Sequence, residues 1–269
     1  MRLGRFGLTV DPEGFGSAAE LERLGFTTLW IVGGQLDRLE RLDDLIHATE
    51  RAVVGSAIIP PEVYDAASVT ALFHRAEAVA PGRLLVGIGS PHSARPLADL
   101  GDYVDRLDAA DEPIPVDRRI LAAFGARALD VARDRFAGAM PALLRPAHVA
   151  VARERVGPDR ILSVGLYAVL DGDAASARAT ARQPLTFLCG LPAYVKSLHR
   201  QGFTDGDITT LSDDLVDALV AWGSPDDIAQ RAQQLLTAGA DHVHLTVLSD
   251  SNQPAGLAAA RALAPALGL

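Results

Sequence analysis

Apolar and polar residues along this chain repeat one phrase: an amphipathic helix, a short turn, then a run of apolar strand residues. In Ala18–Val32 (AAELERLGFTTLWIV), Leu21 and Leu24 form the apolar stripe and Gly25 stops the helix. Ser17 and Glu20 stand ahead of that stripe at capping-box spacing. The phrase returns in Asp44–Ile59, Ala67–Gly89 and Arg127–Leu144. It comes again in Ser224–Leu248, where Ser224 is placed to cap and Pro225 takes the first helical position. There Asp226 and Asp227 suit the positive end of the helix dipole, and Gly239 ends the helix.

Helices and strands alternating at this length predict parallel strands joined by crossover helices. Strands are expected at Gly4–Val10, Thr28–Val32, Val53–Ile59, Leu84–Gly89, Arg119–Phe124, Gly138–Leu143, Ile161–Leu170 and His242–Leu248. Eight such strands close a (β/α)8 TIM barrel, which puts any active site at their C-terminal ends. The 269 residues suit one such domain over 1–269, since these barrels run to roughly 250 residues. Two stretches break the phrase. One is 91–116, within which Leu97–Leu107 keeps helical spacing; the other is 191–211, with turn signals at Gly202, Asp205 and Gly206. Both are expected as loops or lids over the site.

Composition narrows the function. An apolar share of 49% can fill a barrel and the layer beneath its helices, and a net charge of −9 argues against a nucleic-acid or anionic-membrane surface. No run of about 18 apolar residues spans a membrane, so the chain reads as cytoplasmic. The lone Cys189 leaves no intrachain disulfide and no cysteine metal cluster. His242 and His244 lie two apart on a strand and share a face. With no matching ligand set elsewhere, they are expected as a hydrogen-bonded pair in or near the lumen, and no metal site is expected. Cys189 with His199 lacks a third orienting group, and Trp30 and Trp222 read as barrel packing.

Two segments could carry chemistry. In AAFGAR, Gly125 lets backbone N–H groups of Ala126 and Arg127 approach an anion at the start of a helix, or merely turns strand into helix. In GIGSPH, His92 could transfer protons, contact a cofactor hydroxyl or serve only the turn after Pro91.

Gly82–Gly89 (GRLLVGIG), Gly190–Phe203 (GLPAYVKSLHRQGF) and above all Leu215–Leu248 resemble the luciferase-like monooxygenase superfamily, nearest its branch of probable coenzyme F420-dependent oxidoreductases. The resemblance implies a TIM barrel that binds a deazaflavin, or FMN in other branches, at the strand ends. It also implies hydride transfer to or from a small organic substrate, and commonly a homodimer. It places the cofactor phosphate at Gly125, Ala126 and Arg127, and a bulge with a cis Ala57–Ile58 peptide behind the ring. The expected contacts there are Ser56, Ala57 and Ile58, with Gly33 from strand two and Gly89 and Ser90 from strand four. His92 takes the place of an acidic proton-transfer residue. Departures from the pattern remove polar groups. Gly33 and Gly34 stand where relatives carry an Asp-His pair, Met140 where they carry histidine, and Pro192–Ser197 lacks their asparagines. Two alternatives follow: an FMN-dependent monooxygenase, and a degenerate barrel that binds a ligand without turnover.

Overall fold

A computed structural model describes residues 2–250 and 252–269. Its strands are β1 (Phe6–Thr9), β2 (Thr28–Val32), β3 (Val53–Ala57), β4 (Leu84–Ile88), β5 (Arg119–Leu121), β6 (Gly138–Ala139), β7 (Ile161–Val169), β8 (Val220–Trp222) and β9 (His242–Leu248). The helices up to β7 are α1 (Ala18–Arg23), α2 (Glu40–His47), α3 (Ala66–Val79), α4 (Pro96–Asp108), α5 (Ala126–Arg135) and α6 (Pro146–Val156). Beyond β7 come α7 (Ala174–Leu188), α8 (Pro192–Arg200), α9 (Asp205–Thr210), α10 (Asp213–Leu219), α11 (Pro225–Thr237) and α12 (Gly256–Leu267).

Strands β1 to β7 pair in sequence order, all parallel; β7 then pairs with β9, and β9 with β1. These are the eight strands read from the hydropathy pattern, and they close a (β/α)8 barrel. Two of the expected strands, β5 and β6, are cut to half their predicted length or less. β6 stops at Ala139 because Pro141 has no N–H to continue the ladder; Met140 N–H still reaches the Leu121 carbonyl at 2.7 Å. β5 loses the same partner and stops at Leu121. The long β7 therefore outruns β6, and the unpredicted β8 pairs along its upper end at Tyr167–Val169.

Caps follow the sequence in one place and depart from it in another. Ser224 and Asp227 form a reciprocal capping box on α11, and Gly239 past its end has φ +114°. Ser17 caps nothing: it ends a 3-10 turn over Pro12–Ser17, and the Glu20 carboxylate is instead held by Arg261 of α12. The helix-to-barrel layer is one apolar core. Helix α4, inside the stretch expected as a loop or lid, contributes Leu100, Tyr103, Val104 and Leu107 to it. The other such stretch forms α8 and α9. With α7, α10 and β8 they pack a second core on Leu143 and Val169 at the upper rim of the barrel.

The lumen is filled by aromatic rings, and glycines make the room. Trp30 crosses it against Gly55, where a Cβ would stand 2.4 Å from Trp30 Cε3. Gly55→Ala is therefore expected to destabilise the fold by about 1–3 kcal/mol through overpacking. Gly101→Ala, on a helical surface with nothing near its Cβ, should stabilise by up to about 1 kcal/mol. Urea unfolding of both variants checks the contrast.

Candidate active site

The floor of the barrel mouth is a ring stack. Trp30 packs against His244 (centroids 5.1 Å apart) and His242 (5.8 Å), and the two imidazoles lie nearly parallel at 6.3 Å. Their alternation on β9 puts both in the lumen, as the spacing predicted. They are not bonded to each other. Trp30 Nε1–H donates to His242 Nε2 (3.1 Å), and His242 Nδ1–H donates to the Gly4 carbonyl (2.9 Å). That pairing requires the neutral imidazole, because a second ring proton would meet the indole N–H head on. His244 Nδ1 lies 3.0 Å from Ser163 Oγ. Burial lowers the pKa of His242 to about 4, and burial with the neighbouring His242 lowers that of His244 to about 3.

Around this floor the expected contact residues separate into three places. At the ends of β2, β3 and β4, Gly33, Ile58 and Gly89 form a shelf. A Cβ on Gly33 would stand 2.7 Å from the Ile58 carbonyl oxygen, and one on Gly89 would stand 2.5 Å from Ile58 Cδ1. The Ala57–Ile58 peptide is cis, as the resemblance implied. Ala57, Ile58 and Ser90 are half-buried, but Ser56 is fully buried. Its hydroxyl donates to the Gly87 carbonyl (3.0 Å) and accepts from the Gly87 N–H (2.8 Å), so Ser56 ties β3 to β4 and its side chain has nothing left to offer a ligand.

The second place is the N-terminus of α5. Gly125 is its N-cap residue in extended conformation, and no side chain caps the helix. The exposed Arg127 is the second residue of the helix. Arg200 of α8 donates to the Phe124 carbonyl (3.1 Å), and its guanidinium nitrogens lie 3.7–3.8 Å from where a Gly125 Cβ would stand. A groove of about 410 Å³ opens beside it, lined by Phe124, Ala126, His148, Arg155, Ser197 and Arg200. His148 Nε2–H donates to the Arg200 carbonyl (2.9 Å), while its buried Nδ1 has no partner among the described residues. Arg200 and His148 escaped the sequence reading because only tertiary packing brings α6 and α8 to α5.

His92 lies in the third place, on the outer rim. It is 65% exposed, with Nδ1 2.6 Å from Glu62 Oε1 in the loop after β3. The structure thus pairs His92 with a carboxylate that spacing did not reveal.

The remaining candidates are structural. Cys189 is buried, which pushes its thiol up to about 11, and His199 is engaged with the Phe203 carbonyl and Asp205. They form no nucleophile and base. Met140 fills the lumen beside Leu85 and Ile120. Trp222 belongs to the roof and not the barrel, with Nε1–H donating to Asp217 (2.8 Å). Tyr194 of α8 packs on Phe124 with centroids 4.6 Å apart and the rings tilted by 52°, and burial raises its phenol above the usual range, as it does that of Tyr167 on β7. Among the described residues no cluster of His, Cys, Asp or Glu could hold a metal, and no helix is long and apolar enough to cross a membrane.

No protein-family model matches the chain, and no curated protein matches it by sequence. Solved structures do match in fold. An F420-dependent secondary alcohol dehydrogenase, in complex with an F420–acetone adduct, aligns over 99% of both chains at 15% identity with a TM-score of 0.73. The coenzyme F420-dependent tetrahydromethanopterin reductase of Methanopyrus kandleri aligns over 91% of this chain and 93% of its own, at 16% identity and TM-score 0.67. The FMN-bound oxygenating constituent of 3,6-diketocamphane monooxygenase from Pseudomonas putida aligns over 98% of both, at 13% identity and TM-score 0.68. In fold, this chain is a (β/α)8 barrel similar to those of F420-dependent enzymes and of monooxygenases.

The neutral histidines set an acid limit. Their folded-state pKa values lie below the unfolded value of about 6.5, so the unfolded chain binds more protons once the pH falls below it. Their stability is whole above about pH 6.5 and is lost toward pH 4 for His242 and pH 3 for His244. Each should cost about 1.4 kcal/mol per pH unit in that window. Urea unfolding at pH 7, 6 and 5 should show this decline, and His244→Phe should halve its slope.

Proposed function

We propose that this barrel is an oxidoreductase that binds coenzyme F420 at its mouth and passes a hydride between it and a small organic substrate. One observation carries the reading: the Gly33–Ile58–Gly89 shelf and the uncapped start of α5 under Arg200 stand at the C-terminal ends of the same barrel. A flat ring system with a phosphate-bearing tail fits such a pair. The two glycines let the Ile58 peptide and side chain lie flush against β2 and β4, which leaves Ile58 as a flat support for a planar ring. Free N–H groups of α5 with Arg127 and Arg200 suit a phosphate. Bound there, the deazaflavin supplies a two-electron hydride donor or acceptor.

The chain's own residues then have distinct tasks. Gly33, Ala57, Ile58 and Gly89 support the ring, with Ser90 at its edge. Gly125, Ala126, Arg127 and Arg200 hold the anionic tail. Tyr194 and Phe124 roof the site with aromatic surface and exclude water. The His92–Glu62 pair takes up or releases the proton that accompanies hydride transfer at the rim. This reading includes a homodimer working in the cytoplasm.

Titration of the purified protein with F420, FMN and FAD, followed by fluorescence, tests the assignment. F420 should bind most tightly. Arg200→Ala should weaken it by about 1.5–3 kcal/mol, the loss expected for a hydrogen bond to a charged group. Stronger binding of FMN would favour the monooxygenase alternative, and curves for Arg200→Ala and Arg127→Ala that overlay the wild type would remove the phosphate from α5.

Proton transfer has its own test. His92→Ala should lower kcat at least about tenfold and leave cofactor affinity unchanged, with Glu62→Gln moving kcat in the same direction. A wild-type protein that binds cofactor yet turns over no substrate in a broad panel would support the degenerate-barrel alternative.

A further inference from the structure

The mouth has a floor as well as a wall, and the floor carries an uncommitted polar group. Ser163 and His242 have no exposed surface, whereas His244, one layer higher on β9, keeps 5% of its own. The Ser163 hydroxyl is buried, and its one side-chain partner among the described residues is His244 Nδ1 at 3.0 Å. A buried O–H without another acceptor donates to the one it has. Nδ1 is then the acceptor, and the neutral ring carries its proton on Nε2.

The position of Nε2 is fixed by what is missing opposite it. A Cβ on Gly165 would stand 2.8 Å from Nε2 and 3.0 Å from the Ala142 Cβ. Gly165 therefore leaves the space that the nitrogen occupies, and Ala142 beside it is half-exposed at the end of the interrupted sixth strand. No hydrogen bond engages Nε2 among the described residues. Trp30 packs against the same imidazole, the two rings tilted by 35°. Apolar Leu85, Ile120 and Met140 fill the lumen around the stack, so no charge there could compensate an ion.

We propose that His244 Nε2–H is a hydrogen-bond donor in the floor of the site, reserved for an uncharged carbonyl oxygen on the edge of a planar ring. This rests on the cofactor reading above and deepens it, since deazaflavin and flavin rings both end in a dioxopyrimidine with two such oxygens. Ser163 is the positioning residue that sets the tautomer. A carboxylate or phosphate would lose its water at this floor and gain a single neutral donor, so the floor selects the ring end and leaves the anionic tail to α5.

The first test needs no ligand. Nitrogen-15 NMR of the histidine-labelled protein at pH 7 should show the His244 proton on Nε2 in the wild type, and Ser163→Ala should mix the two tautomers. A wild-type proton on Nδ1 overturns the proposal. The second test uses FMN and oxidised F420 carrying carbon-13 at the pyrimidine carbonyls, read by isotope-edited infrared difference spectra. One carbonyl band should move to higher frequency in His244→Phe, and affinity should fall about tenfold, as for one lost hydrogen bond. His244→Gln, which keeps an N–H donor, should restore part of both. Bands that coincide in wild type and a folded His244→Phe, confirmed by near-ultraviolet circular dichroism, overturn the inference and leave the cofactor reading standing. Failure of both probes to bind the wild type overturns the two together.

Discussion

The lumen of an eight-stranded barrel has to be filled, and in this protein one indole and two imidazoles stand at its centre with Leu85, Ile120 and Met140 around them. Everything near the axis follows from that choice. Trp30 is too large to face another side chain, so β3 carries Gly55 opposite it. His242 occupies the place of a side chain at Gly7, and His244 that of one at Gly165. Five parallel strands are thereby held in one register by rings that interlock with absent Cβ atoms. Buried nitrogen must also be satisfied, and the indole N–H, the His242 ring and the Gly4 carbonyl form a chain that ends in backbone at the bottom of the barrel. A slip of one residue in β9 would turn both imidazoles out of the lumen and leave that chain unpaired.

The architecture was legible because each helix–strand unit buries its own stripe and its own strand. The eight closing strands, the α11 capping box and the lumen face of His242 and His244 were all readable from spacing. The failures share a cause. Pro141 lies inside an apolar run, and hydropathy alone hid the missing donor that ends β6. With β6 short, β7 has an unpaired edge, and β8 exists to cover it, which no local signal in LVDALVAW announces. Ser17 and Glu20 had the spacing of a cap, but the 3-10 turn before α1 leaves the serine out of place and Arg261 claims the glutamate.

The candidate site was only partly readable, for a related reason. Backbone features carry well in a sequence: Gly33, Gly89 and Gly125 are visible as glycines, and Ala57–Ile58 through the family likeness. Side chains that meet only after folding are not. Arg200 reaches Gly125 across 75 positions of chain, and Glu62 reaches His92 from a different loop. Ser56 shows the opposite error. A polar residue at a strand end looks available, yet its register with Gly87 uses up its hydroxyl.

The roof that covers the mouth is built differently from the barrel it covers. Helices α7 to α10 and β8 pack a core of their own and meet the barrel wall chiefly at Leu143, Val169 and Leu248. The insertion leaves the barrel at the end of β7 and returns at Gly223, whose N–H donates to the Val169 carbonyl (3.2 Å) before α11 begins, so its two anchor points are close together in space. Such an element can be resculpted, or exchanged for one of another shape, while the ring stack and the closing ladder stay as they are. Divergence in what these barrels accept therefore has a natural seam, and in this chain the seam runs between its two hydrophobic cores.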